Sequence, residues 1–145
     1  MKVILLSIFN NHLYAVALHH YGHYCGYVRC EENEKSYFDK IRAEYEETCN
    51  VSSILCHGGV TFVSHENGEG ILPEGDWVGF DCAHSRDGKD FLMVEKIFGK
   101  KAAEIARNMH YDDGKDTKIT PKMVSAVCKD MVGQIIENNK NQVME

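Results

Sequence analysis

No apolar run in this chain approaches the roughly 18 residues needed to cross a bilayer, which argues against a membrane-spanning helix. The apolar start, residues 1–9, is short. It is followed by Asn10, Asn11 and His12 and carries no small-residue cleavage site, so it does not read as a signal peptide. Positive charge is also scarce. The formal net charge is −6, so the surface as a whole does not attract bulk nucleic acid, and an anionic ligand needs a local positive pocket. Internal repeats, linkers and low-complexity tracts are missing too. The 145 residues therefore read as one domain around one core.

Paired-cysteine spacing is absent as well. Cys25, Cys30, Cys49, Cys56, Cys82 and Cys128 form no C-x-x-C, and three of them sit inside apolar strand-like runs, where a reduced thiol packs as a small hydrophobe. Without an export signal, reduced thiols and a cytoplasmic location are the expectation.

Short runs rich in β-branched and aromatic residues predict strands over 3–9, 13–18 and 24–30, the first two joined at Asn10-Asn11, where Asn tolerates left-handed backbone. Tyr37, Phe38, Ile41 and Tyr45 recur at helical spacing within a charged stretch and predict a helix over 34–48. Strands are expected over 52–56 and 60–64 around His57-Gly58-Gly59, then a loop over 65–76 and a last strand over 77–82. The i, i+3, i+4 pattern predicts a helix over 90–109 that Gly99 weakens and can break, a charged loop over 111–119, and a closing helix that starts at Thr120-Pro121. Residues 1–138 are read as a single α+β domain, with a mostly antiparallel sheet, one mid-chain helix and two C-terminal helices. Residues 139–145 read as a frayed polar tail.

Two segments concentrate the polar chemistry: Cys56-His57-Gly58-Gly59-Val60-Thr61-Phe62 and Trp77-Val78-Gly79-Phe80-Asp81-Cys82-Ala83-His84. Each sets an imidazole at the end of an apolar run, and histidine serves near neutral pH as base, acid or metal ligand. Gly58 and Gly59 permit a sharp turn with amides open to an anion, and Thr61 follows on the outgoing strand. Asp81, in or beside a buried strand, needs a partner, and His57 or His84 supplies one. Arg86 and Lys89 are candidates for local positive charge. The plainer alternative makes His57 a core histidine beside a turn, Asp81 a turn cap and His84 a loop residue. His19, His20 and His23 crowd together, but without an H-E-x-x-H or paired-cysteine motif, zinc rests on composition alone, and no metal or cofactor is assigned. Cys25 follows the order of a Cys-His-Asp nucleophile with His57 and Asp81, although a strand cysteine is usually inert packing.

These motifs resemble an uncharacterised family of small proteins frequent in tailed-phage genomes and prophages. Its pattern is a C-G-Y-V segment, then H-G-G-[LV]-T-[YF], then W-x-G-F-D-x-A-H with an Asp soon after, and then a helix. Here these are Cys25 to Val28, His57 to Phe62, Trp77 to His84 and Asp87. The chain departs from the pattern in the charged stretch between Val28 and Val51, where a Pro/Gly-containing loop is usual, and at Arg86, where the pattern has Gly. The resemblance implies that His57, Asp81 and His84 share one site, and it supplies no activity. The expected function is hydrolysis of a nucleotide-like phosphate ligand, a host immune signal for example. His57 and His84 would exchange protons, Asp81 would orient one of them, and Gly58, Gly59, Thr61, Asp87, Trp77 and Tyr27 would hold the ligand. The alternatives are sequestration of such a ligand without chemistry, or binding of a host protein through apolar residues of the last helix. A second copy of the chain stays open as a partner.

Overall fold

The structure, a computed structural model, describes residues 1–65, 70–111 and 114–144. It is an α+β domain built on five antiparallel strands: β1 (Lys2–Phe9), β2 (His12–Leu18), β3 (Tyr24–Cys30), β4 (Phe62–Ser64) and β5 (Asp76–Asp81). Their order across the sheet is β1-β2-β3-β5-β4. Asn10 and Asn11 take left-handed φ values of 46° and 64°, and Phe9 pairs with His12 across them. This is the two-residue turn whose twist suits a hairpin.

Side-chain alternation gives the sheet two different faces. Tyr14, Val16 and Leu18 of β2, Tyr24 and Val28 of β3, and Val78 and Phe80 of β5 face the helices and form the main core. Ala15, Ala17, Cys25, Tyr27 and Trp77 point the other way and are covered by Leu72. The helices are α1 (Lys35–Thr48), α2 (Phe91–Phe98), α3 (Lys100–Met109) and α4 (Pro121–Val143). Helix α4 crosses β2 and β3, and Gly26 makes this approach close: a Cβ there would stand 2.8 Å from Cys128 Sγ and 2.5 Å from Phe80 Cε1. Thr120 caps α4 by accepting a hydrogen bond from the Met123 amide (3.2 Å).

Several boundaries differ from the sequence reading. Residues 52–56 are not a strand. The Leu55 amide and carbonyl are both taken by the Gln134 side chain of α4, at 2.7 Å each, and the Ser52 amide donates to Glu44 (3.0 Å), so the backbone is satisfied without a sheet neighbour. The strand expected over 60–64 shortens to β4. Gly99, at φ +100°, divides the expected 90–109 helix into α2 and α3. Helix α4 continues through the expected frayed tail to Val143, because Asn139 donates to the Asn33 carbonyl and Gln142 to Ser36 Oγ. Of the expected loops, residues 66–69 and 112–113 lie outside the described residues, as does Glu145 of the tail. Of Met131, Ile135 and Val143, the residues of the last helix that could bind a host protein, Met131 and Ile135 are fully buried in the core and Val143 is exposed. No helix among the described residues is long and apolar enough to cross a membrane.

All six cysteines are free thiols. Cys25 lies on the sheet face opposite the helices, and burial pushes its thiol up to about 11. Both facts set it apart from the imidazoles described next and remove it as a nucleophile.

Candidate active site at the end of the central strand

The site forms where two turns meet at the edge of the main core. In the first, the Gly59 amide donates to the Cys56 carbonyl (3.0 Å) and closes a turn around His57 and Gly58. Gly58 has φ +70°, a value that favours glycine at this turn position. The Gln134 clamp on Leu55 and the buried side chains of Ile54 and Val60 hold the turn on either side.

The second turn is the exit from β5. The Cys82 amide donates to the Tyr24 carbonyl (2.8 Å), which extends the ladder one step. The chain then reverses over His84 to Asp87, closed by a bond from the Asp87 amide to the His84 carbonyl (3.0 Å). Arg86 sits at φ +71° in this turn, a left-handed value unusual for a residue other than glycine. Residues 86–88 are fixed against the 117 segment. The Thr117 amide donates to the Arg86 carbonyl (2.7 Å), and the Gly88 amide donates to the Thr117 carbonyl (2.8 Å).

Asp87 is the centre of the arrangement. Its side chain is only 8% exposed, whereas those of His57 and His84 are 36% and 40% exposed. His57 Nε2 donates to both carboxylate oxygens at 2.9 Å. His84 Nδ1 donates to Oδ2 at 3.0 Å, and the His84 amide donates to the same oxygen at 3.0 Å. Burial alone would push the Asp87 carboxyl up. The hydrogen bonds from His57 and from the His84 amide and ring outweigh it and hold the group below its ordinary value. An ionised carboxylate only accepts, so His57 Nε2 and His84 Nδ1 both carry protons. The outer nitrogens, His57 Nδ1 and His84 Nε2, are left for other chemistry. The rings meet edge to face, with centroids 5.5 Å apart.

The two expected imidazoles therefore do share one site, but the hydrogen bonds expected of Asp81 are made by Asp87. Asp81 accepts from the Ala83 amide (3.1 Å) and stands 3.9 Å from His84 Nε2. Gly58 is present as a platform, since its lack of a Cβ leaves room for the His84 ring. The Gly59 amide is consumed by its own turn and offers no donor to a ligand. Thr61 joins the sheet through its amide, which donates to the Gly79 carbonyl (2.9 Å), and its carbonyl accepts from Tyr45 Oη (2.8 Å). Trp77 and Tyr27 do not reach the site. Both are buried on the opposite sheet face, and Trp77 Nε1 donates to the Pro73 carbonyl (2.7 Å). Alternation along β5 is the reason: Trp77 and Phe80 are an odd number of residues apart, so only Phe80 faces the imidazole side.

Space around the site is asymmetric. Behind His57, among Phe80, Ile119, Met123 and Val127, the pocket has a volume of about 40 Å³, room for little more than a water molecule. That pocket is too small for a nucleotide. Gly88 also lines a cleft of about 660 Å³, together with Lys89, Asp90, Phe91, Arg107, Asp116 and Lys118. Lys89 also donates to the Asp87 carbonyl (3.1 Å), which links the cleft to the site.

The histidines of the 19–23 segment stack on one another instead of converging on a point. His19 and His20 have ring centroids 4.1 Å apart, and His19 and His23 4.5 Å apart. Burial, then its histidine neighbours, lower His19 to about 4.

Comparison with protein-family models, curated proteins and solved structures finds no significant match to this chain.

The orienting role of Asp87 and the Gln134 clamp were not anticipated from the sequence. The His84-x-x-Asp87 spacing carried a signal, because an Asp three residues after a strand-end histidine can accept that residue's amide across a turn. The Gln134 clamp left no local signal.

Proposed function

We propose that this chain is a hydrolase of the phosphodiesterase type that acts on a nucleotide-like phosphate ligand. The observation that carries the reading is the single carboxylate, Asp87, that fixes both imidazoles through their inner nitrogens while each ring stays more than a third exposed. In this reading His57 Nδ1 takes a proton from the attacking water. The water oxygen forms a bond to phosphorus, the bond to the leaving oxygen breaks, and His84, in its doubly protonated form, gives its Nε2 proton to that oxygen while Nδ1 keeps its proton on Asp87. The donor role falls to His84 because Asp81 provides a second carboxylate 3.9 Å from its Nε2. Lys89, Arg107 and Lys118 outnumber Asp90 and Asp116 in the adjoining cleft, which supports an anionic ligand, with Phe91 as an apolar surface for a base.

The test is incubation with a panel of cyclic and linear nucleotides, read by mass spectrometry. A new product is expected from the wild-type chain, with turnover reduced by about 10²–10⁴-fold in His57→Ala and in His84→Ala. Ligand recovered intact on heating would replace catalysis with sequestration. Full activity in both variants would end the acid–base assignment.

A further inference from the structure

We infer that His57, His84 and Asp87 also form a binding site for a borderline divalent transition metal of the Zn²⁺ class. One ligand atom from each residue lies within 4.8 Å of the other two. Metal–nitrogen and metal–oxygen bonds of about 2.0–2.2 Å place adjacent donors about 3 Å apart in octahedral geometry and slightly farther apart in tetrahedral geometry. The two nitrogen–oxygen separations already stand at 2.9 and 3.0 Å. A metal therefore replaces two bridging protons with little movement of the carboxylate and a modest approach of the rings. Each neutral imidazole moves its proton to the outer nitrogen, so the inner lone pairs, His57 Nε2 and His84 Nδ1, become the ligands.

Three further features are those of a built metal site. Asp87 is buried at its floor and held by the His84 amide at 3.0 Å, so one ligand orients another. Asp81 stands 3.9 Å from His84 Nε2, the nitrogen that carries the proton once Nδ1 is bound, so the shift of the ring toward a metal has only to shorten this contact to complete a carboxylate–histidine–metal relay. The rings are more than a third exposed, which leaves the remaining coordination positions to water or ligand, as at metal sites with an open position. Two imidazoles with one carboxylate suit a borderline ion better than Mg²⁺ or Ca²⁺. Metal binding needs no turnover, and the metal-loaded and metal-free forms are alternative states of the same three residues: with the metal bound, His57 Nδ1 carries the proton and has no lone pair left to act as a base.

The experiment is titration of the chelator-treated, full-length protein with CoCl₂, followed by its visible ligand-field absorption, and with ZnCl₂ by calorimetry. One ion per chain is expected. His57→Ala, His84→Ala and Asp87→Asn should each weaken binding by about a hundredfold or more, since even outer-shell losses weaken metal sites by about 10–100-fold. The His20→Ala/His23→Ala pair should bind as the wild type does. Absence of saturable binding, binding unchanged in the three site variants, or binding lost in the His20/His23 pair would each overturn the site. Long-range ¹H–¹⁵N correlation on the wild-type chain gives a second reading that depends on no variant. Zn²⁺ must move the His57 Nε2 and His84 Nδ1 signals and leave those of His110 in place.

Discussion

Substituting alanine at each of the two adjacent glycines separates backbone strain from damage to the site. Gly58 and Gly59 both have left-handed backbone, at φ +70° and +86°. Alanine at either position therefore carries about 1–2 kcal/mol of conformational strain. Their surroundings differ. A Cβ on Gly59 meets nothing within 4 Å, whereas one on Gly58 would lie 2.1 Å from His84 Cε1 and 2.4 Å from His84 Nε2. No heavy-atom contact survives at that distance, so the ring must swing away. It can do so because the side chain is 40% exposed, but it then gives up its 3.0 Å bond to Asp87. That bond to a charged group adds about 1.5 kcal/mol, at the low end because the ring is partly solvated. Gly59→Ala should thus lose about 1–2 kcal/mol in urea denaturation, and Gly58→Ala about 1.5 kcal/mol more. Only Gly58→Ala should move the His84 ring resonances and lower turnover and metal affinity. Equal behaviour of the two variants in all these measurements would refute the packing of His84 on Gly58.

Asp87 is held below its ordinary carboxyl value against the opposing effect of burial, by the bonds from His57 and from His84. A depressed folded value stabilises the protein above the unfolded value of about 3.9, and this is lost as pH falls through the folded value. Urea midpoints of wild type and Asp87→Asn should therefore differ at pH 6 and converge below about pH 4, and a constant difference would exclude the linkage. At the other end of the sheet, His12 Nδ1 donates to the Asn10 carbonyl (2.6 Å) and Nε2 to Glu34 (2.8 Å), with both side chains almost fully buried. Burial lowers the His12 value, yet the Glu34 and Asn10 bonds and the Glu34 charge raise it overall above 6.5. The pair's contribution is complete below about pH 6.5 and is lost as pH rises through the folded value. Glu34→Gln should lose about 3 kcal/mol at pH 6 and less at pH 9, and equal losses at both would show that the pair is not charged. Arg86→Gly relieves a left-handed non-glycine residue and should raise stability by up to about 1 kcal/mol, the strain relief being offset in part by a freer unfolded chain. A thermal midpoint lower than that of the wild type would show that the Arg86 side chain stabilises the turn.

Legibility in the sequence followed how local the cause of each element was. The β1–β2 hairpin was readable because Asn10-Asn11 specifies its own turn, and the α4 start because Thr120-Pro121 carries cap and first-turn residue together. The 90–109 region showed its weak point at Gly99. The 52–56 segment read as one of two strands around the His57-Gly58-Gly59 turn, but its backbone partners are side chains of Glu44 and Gln134. Gln134 is 79 positions from Leu55, and no window of sequence joins them.

The site was legible in its residue types and misread in its wiring, for a reason of parity. Trp77, Val78, Gly79, Phe80 and Asp81 run along one strand, so their side chains alternate between two environments. Treating Trp77 through His84 as one functional unit joined residues that the pleat separates. Trp77 belongs with Tyr27 beneath the far face, and Asp81 sits on the same far-side parity, at a strand end where its side chain stays partly exposed. The carboxylate that serves both imidazoles comes after the strand, where the turn frees the chain from alternation and lets the Asp87 side chain fold back over its own His84 amide. Arg86 at φ +71° marks that reversal.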